Sequence, residues 1–161
     1  MSYDALSEKT LQVVRSMEAA LAAQSNDMAK YFHKDFCWMG NQGCGIKNNL
    51  EEFRNNWQLP LRAAFTDRFY KTDKFLVDGE WASCFGYIDA VHSGEFMGIA
   101  PTNKRVQIHY TDFWKVKDNL IIDNRVTVDF PRVLAQLGVD VFNNLGWEVY
   151  DRGEVEPPKP N

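Results

Sequence analysis

Along the opening stretch of the chain, Leu11, Val14, Met17 or Glu18, and Leu21 recur at three- and four-residue steps. A one-sided stripe of this kind is what an amphipathic helix needs, and it predicts one over residues 7–24 with Ser7 as its cap. Ser25-Asn26-Asp27 breaks the stripe and recaps a short second helix through Met28, Tyr31 and Phe32. His33-Lys34-Asp35 leads into a strand, Phe36-Cys37-Trp38-Met39, and the three glycines between Gly40 and Gly45 mark a loop. Asn48 or Asn49 caps a third helix with Leu50, Phe53 and Trp57 on its inner face, ending before Pro60.

The period then changes. Residues 66–77 predict a strand, Asp78-Gly79 a tight hairpin turn, and residues 80–96 the returning strand. Residues 104–116 alternate as a long strand, Lys117-Asp118-Asn119 turns, and residues 120–129 form the last strand. Pro131 fits the first turn of a closing helix, which Gly138 ends. Helices first and a meander of strands after them predict an α+β fold, with helices on the concave face of a strongly curved antiparallel or mixed sheet. Curvature of that kind leaves a deep blind cavity. The 161 residues suit one domain over 1–150, with 151–161 as a mobile tail rich in proline and charge.

Composition narrows the function classes. Apolar residues make up 45% and aromatics 14%, enough to fill a core and line a pocket. The net charge of −4, with no Lys/Arg run longer than two, argues against a nucleic-acid partner. Neither a signal-like N-terminus nor an apolar run near 20 residues is present, so no membrane partner and a cytoplasmic location are expected. Cys37, Cys44 and Cys84 lack metal-ligand spacing and read as reduced structural thiols, with no metal.

Two blocks carry a family resemblance. His92-Ser93-Gly94-Glu95-Phe96-Met97-Gly98-Ile99-Ala100-Pro101-Thr102 is similar to the histidine–x–glycine and proline–threonine–glycine stretch of the SnoaL-like polyketide cyclases. Ile121-Ile122-Asp123, Asp129-Phe130 and Leu134-Ala135-Gln136-Leu137-Gly138 resemble that family's last strand, aspartate and closing helix. The match runs roughly from Leu6 to Gly138. It implies the nuclear-transport-factor-2-like cone fold, and ring closure by intramolecular aldol condensation without metal or cofactor. It also implies that Asp129, ending the last strand, is the acid/base. Asn103 departs from the family's glycine, although asparagine tolerates the left-handed conformation. Arg125 stands where many members carry tryptophan, which alters pocket polarity.

Asp129 is therefore a candidate catalytic base, and equally placed to cap the helix that Pro131 starts. On the strand of residues 104–116, Gln107, His109, Thr111, Phe113 and Lys115 share one face, and Ile108, Tyr110, Asp112 and Trp114 the other. Alternation over these positions leaves open which face is concave. His109 is the second catalytic candidate, as an orienting donor or proton shuttle, with a satisfied core or interface histidine as the other reading. His92 can serve a turn or a substrate, and Arg125 a substrate oxyanion or an interface. Trp38, Trp57, Phe53 and Phe113, with Phe85 and Tyr87, are candidate pocket walls. Asn41, Asn55, Asn56 and His33 suit loop and helix-end roles.

The leading functional expectation is a cofactor-free lyase- or isomerase-type enzyme acting on a small enolisable carbonyl compound, with Asp129 as base and His109 or a tyrosine holding the oxyanion. Alternatives are a hydratase- or epoxide-hydrolase-like enzyme, and a ligand-binding or dimerisation module without chemistry. A homodimer is expected, because the sheet presents more apolar surface than three short helices cover.

Overall fold

The structure, a computed structural model, describes residues 3–25 and 27–160. The first helix, α1, spans Ala5–Ala22. Its cap is Asp4 rather than Ser7: the Asp4 carboxylate accepts the Ser7 amide at 2.8 Å, satisfying an orphan N–H of the first turn. Ser7 is buried instead, and its hydroxyl accepts the Gly79 amide at 2.9 Å, tying α1 to a hairpin far along the chain. The expected second helix is reduced to a 3₁₀ turn, Ala29–Tyr31, because Phe32 already belongs to the next strand. The Asn26 part of that expectation lies outside the described residues.

Strand β1 (Phe32–Gly40) is longer than its apolar run, and a short β2 (Ile46–Lys47) pairs back onto it. Asn49 caps α2 (Leu50–Phe53), accepting the Glu52 amide at 2.9 Å. The helical path does not stop before Pro60. A π-helical segment, Arg54–Gln58, leads directly into α3 (Leu59–Ala64), where Pro60 sits in the first turn. Proline is tolerated there because the N–H it lacks would not be needed for a bond within α3.

The rest is a meander: β3 (Phe65–Asp78), β4 (Trp81–His92), β5 (Arg105–Lys117) and β6 (Leu120–Val128). Then come α4 (Phe130–Gln136) and a single-turn α5 (Glu148–Asp151) that the sequence pattern did not announce. The sheet order is β2-β1-β6-β5-β4-β3, antiparallel throughout except where β1 runs parallel to β6. The expected α+β class, a curved mixed sheet with helices on its concave face, is thus the observed one.

Strand alternation divides the sheet cleanly. On β4, Ala82, Cys84, Gly86, Ile88, Ala90 and His92 are buried on the inner face. On β5 the inner row is Val106, Ile108, Tyr110, Asp112, Trp114 and Val116. His109, Thr111 and Phe113 therefore point to the outer face. Gly86 matters to the site: a Cβ there would lie 2.1 Å from the Lys71 carbonyl oxygen. Its absence lets β3 press close to β4 opposite Thr72, where the β3–β4 register shifts. Asn103 adopts φ 56°, the left-handed conformation that asparagine was expected to tolerate in the family's glycine position.

Candidate functional site

Between the inner face of the sheet and the helical elements lies a cavity of about 380 Å³. Aromatic rings form much of its wall. Trp38 lies 4.6 Å from Trp57 and 5.9 Å from Phe53, centroid to centroid, and all three line the cavity. Phe32, Trp114 and Tyr110 extend the aromatic lining.

Two carboxyl groups stand in this largely apolar enclosure. Asp112, on the inner row of β5, accepts one hydrogen bond from Asn124 Nδ2 at 2.9 Å. Burial pushes its pKa up to about 7; the Asn124 bond works against the rise and the Glu18 charge adds to it. Glu18 reaches in from α1 and is also pushed up to about 7, again chiefly by burial. Hydrogen bonding to Cys84 and Thr72 and the Arg15 charge partly offset that rise. The Cys84 thiol, 3.6 Å from Glu18 Oε1, is held far up by burial and by the carboxyl beside it, so it stays a thiol. Two carboxyls poised near neutrality can each hold or release a proton there.

Hydroxyl donors complete the set. Tyr110 Oη lies 3.1 Å from Thr72 Oγ1, and burial raises the phenol so that it remains protonated. Tyr110 and Asp112 are two residues apart on one strand face, so their side chains enter the same space. In this largely apolar enclosure the carboxylate can take up a C–H proton while the protonated phenol beside it donates to the resulting oxyanion.

Of the predicted site residues, the structure gathers only Trp38, Trp57 and Phe53 around this cavity. Asp129 is the N-cap of α4: its Oδ1 accepts the Arg132 amide at 3.0 Å, and it faces away from the cavity. His109 stacks on Tyr87 at 5.3 Å on the outer face. Asp129 and His109 do meet, but in a shallow open groove on that outer side, shared with Asn41 and Asp73. Asn41 there pairs with both backbone groups of Val128, a loop role as expected. Phe113 is half exposed on the outer face and lines no wall of the cavity. Arg125 pairs with Asp123 at 3.2 Å and lies over the Trp81 ring, its guanidinium exposed and turned outward. His92 is fully buried, its Nδ1 3.0 Å from Thr102 Oγ1, holding the turn that contains Pro101.

Glu18 on α1, and Tyr110 and Asp112 on the inner face of β5, are functional candidates that the sequence reading does not single out. Glu18 carried a signal, since a carboxylate at a stripe position of α1 has to be buried with it. Among the described residues, no group of three or more His, Cys, Asp and Glu is arranged to hold a metal ion, and all three cysteines are free. No helix among them is long and apolar enough to cross a membrane.

Comparison with known proteins agrees with this architecture. The family model for the SnoaL-like polyketide cyclases matches residues 11–137. The nogalonic acid methyl ester cyclase of Streptomyces nogalater is 24% identical over 127 residues, covering 77% of this chain and 92% of that protein. A SnoaL-like protein from Jannaschia sp. CCS1 superimposes with a TM-score of 0.75 at 12% identity, covering 84% of this chain and 95% of the other. An NTF2-like protein from Burkholderia thailandensis E264 gives 0.68 at 17% identity, covering 80% and 96%. At these identities the structural matches speak for the fold.

Proposed function

Because the chain belongs to the SnoaL-like polyketide cyclase family, we propose that its aromatic cavity is the active site of a cofactor-free, cyclase-like enzyme in which Asp112 is the acid/base. The observation that carries this reading is a carboxyl with one hydrogen-bond donor, enclosed among aromatic rings beside a protonated phenol. Burial makes the carboxylate a stronger base than in water, and its pKa of about 7 balances availability against driving force.

The chemistry follows from these groups. Asp112 takes the proton from a carbon next to a substrate carbonyl, and the electron pair of the broken C–H bond moves onto the carbonyl oxygen. Tyr110, supported by Thr72, donates a hydrogen bond to that oxyanion. The enolate carbon then attacks a second carbonyl of the same molecule. One C–C bond forms, and the new alkoxide regains its proton from the protonated Asp112, which returns that carboxylate to its starting form. The aromatic wall holds the chain folded so that the two carbons approach. The relative's name supplies two first test compounds, nogalonic acid methyl ester and the free acid from which it is named.

Asp112→Asn keeps the shape and the Asn124 contact but removes the base. It is expected to lower turnover about a hundredfold to ten-thousandfold, measured as product formation or as deuterium uptake at the substrate's acidic carbon. Wild-type rates in the Asn variant would end the assignment.

A further inference from the structure

The cavity that holds the acid/base is also lined by three arginines: Arg15, Arg62 and Arg68. Among the described residues, none of them has a carboxylate oxygen within 4 Å. Of the other five arginines, those at 105, 125 and 152 find acidic partners, while Arg54 and Arg132, which do not line this cavity, find none among the described residues.

Two donors at this end of the cavity are also left without acceptors. Arg68 Nη1 donates to the Phe65 carbonyl oxygen at 2.8 Å, which fixes the guanidinium, yet its Nε is buried with no partner. Gln58 Nε2, one helical turn before Arg62, is likewise buried and unpartnered. Buried N–H groups without acceptors are costly and rare, and a pair of them beside arginines that lack an ion-pair partner within 4 Å marks a place suited to a bound acceptor. Both Arg62 and Arg68 stand close enough to Tyr70 for their charges to act on its phenol.

We propose that the cavity takes substrates carrying a carboxylate, docked by Arg68, Arg62 and Gln58 beside Tyr70. The planar fork of an arginine matches a carboxylate and binds it with charge-assisted hydrogen bonds. Arg68, Tyr70 and Thr72 follow one another along β3, with Thr72 bonded to Tyr110 at the acid/base. Four residues of strand, roughly 13 Å at 3.3 Å per residue, separate the backbone of the docking arginine from that of Thr72. The substrate is therefore elongated, with its carboxylate at one end, its acidic carbon at the other, and a flat body against Trp38 and Trp57. This inference rests on the cavity being the substrate site and adds the class of substrate.

Binding tests it without any turnover. The probe is 2-naphthoate, compared with the neutral, similarly shaped 2-naphthamide, read by quenching of the fluorescence of the cavity tryptophans. The wild type is expected to bind the carboxylate at least about tenfold more tightly, the scale of one or two charge-assisted hydrogen bonds. Arg62→Gln and Gln58→Leu should each remove much of that preference, and neither side chain carries the backbone contact that Arg68 does. Arg68→Gln should remove most of it. Asp112→Asn should keep the preference while losing turnover, so that failure of the base assignment is told apart from failure of the anion site. Equal binding of the amide, no saturable binding of 2-naphthoate, or a preference that survives in Arg62→Gln would overturn the proposal.

Discussion

Asn124 Nδ2 stands 2.9 Å from Asp112 Oδ1 and 3.1 Å from the carbonyl oxygen of Phe113, so one buried amide ties the cavity carboxyl to the backbone of its own strand. This is the one hydrogen bond that steadies the ionised form of Asp112 against the push of burial and of Glu18. Asn124→Leu removes the donor and should raise the pKa of Asp112 above its present value of about 7. The rising, acid-side limb of the kcat/KM profile should move to higher pH, because a higher pH is then needed to form the base. An unmoved limb in a folded Leu variant would show that Asp112 is not the titrating group.

The same two carboxyls predict an unusual stability profile. In the unfolded chain Glu18 and Asp112 release their protons near the ordinary 4.5 and 3.8; in the folded chain both hold them to about 7. Between those values the native state binds more protons than the unfolded state, so stability falls as pH rises and levels off above about 7. Lifting Glu18 from 4.5 to about 7 corresponds to a cost on the order of 3 kcal/mol, at about 1.4 kcal/mol per pH unit. Glu18→Gln and Asp112→Asn should therefore be more stable than wild type at pH 8 and lose much of the decline between pH 5 and 7. Denaturant melts at the two ends of that range give the answer, and a variant as pH-sensitive as wild type would contradict it.

The strands were legible because their alternation is long, and the turns because Asp78-Gly79 and Asp118-Asn119 favour positive φ, which Gly79, Asp118 and Asn119 adopt while Asp78 closes β3. The site was harder to read. Over residues 107–115 the two faces of β5 look alike in polarity, and each carries a titratable group, His109 on one and Asp112 on the other. Extending the count outward to Val106 and Val116 breaks the tie, since both extra residues fall on the row of Ile108, Tyr110 and Trp114. Asp112 is then the one charged side chain in an otherwise buried row, which is where burial raises a carboxyl pKa. No local pattern could show that Gln58, Arg62 and Arg68 converge, because a π-helical segment and a register shift in β3 set their positions.

Asp129 separates capping from catalysis. Its Oδ1 accepts the Arg132 amide at 3.0 Å, and asparagine can do the same. Asp129→Asn is expected to leave both melting and turnover close to wild type. Asp129→Ala should cost about 1 kcal/mol of stability through loss of the cap, with turnover again maintained. A drop in turnover of a hundredfold in the stable Asn variant would return the catalytic role to this residue.

The outer face of the sheet bears on assembly. Phe85 on β4 and Phe113 on β5 are diagonal neighbours across the two strands, each nearly half exposed, and Tyr87 and His109 stack beside them. Neighbouring exposed rings on a broad sheet favour burial against a complementary surface, at roughly 25 cal/mol per Å² of apolar area removed from water. The partner expected is a second copy of the chain, because a two-fold axis through this face would set each Phe85–Phe113 patch against its own equivalent. Sedimentation at micromolar concentration should give a dimer. Phe85→Glu with Phe113→Glu should give a monomer of unchanged secondary structure, since both side chains lie outside the core and away from the cavity. A wild-type chain that sediments as a monomer, or a double variant that stays dimeric, would place the contact elsewhere or remove it.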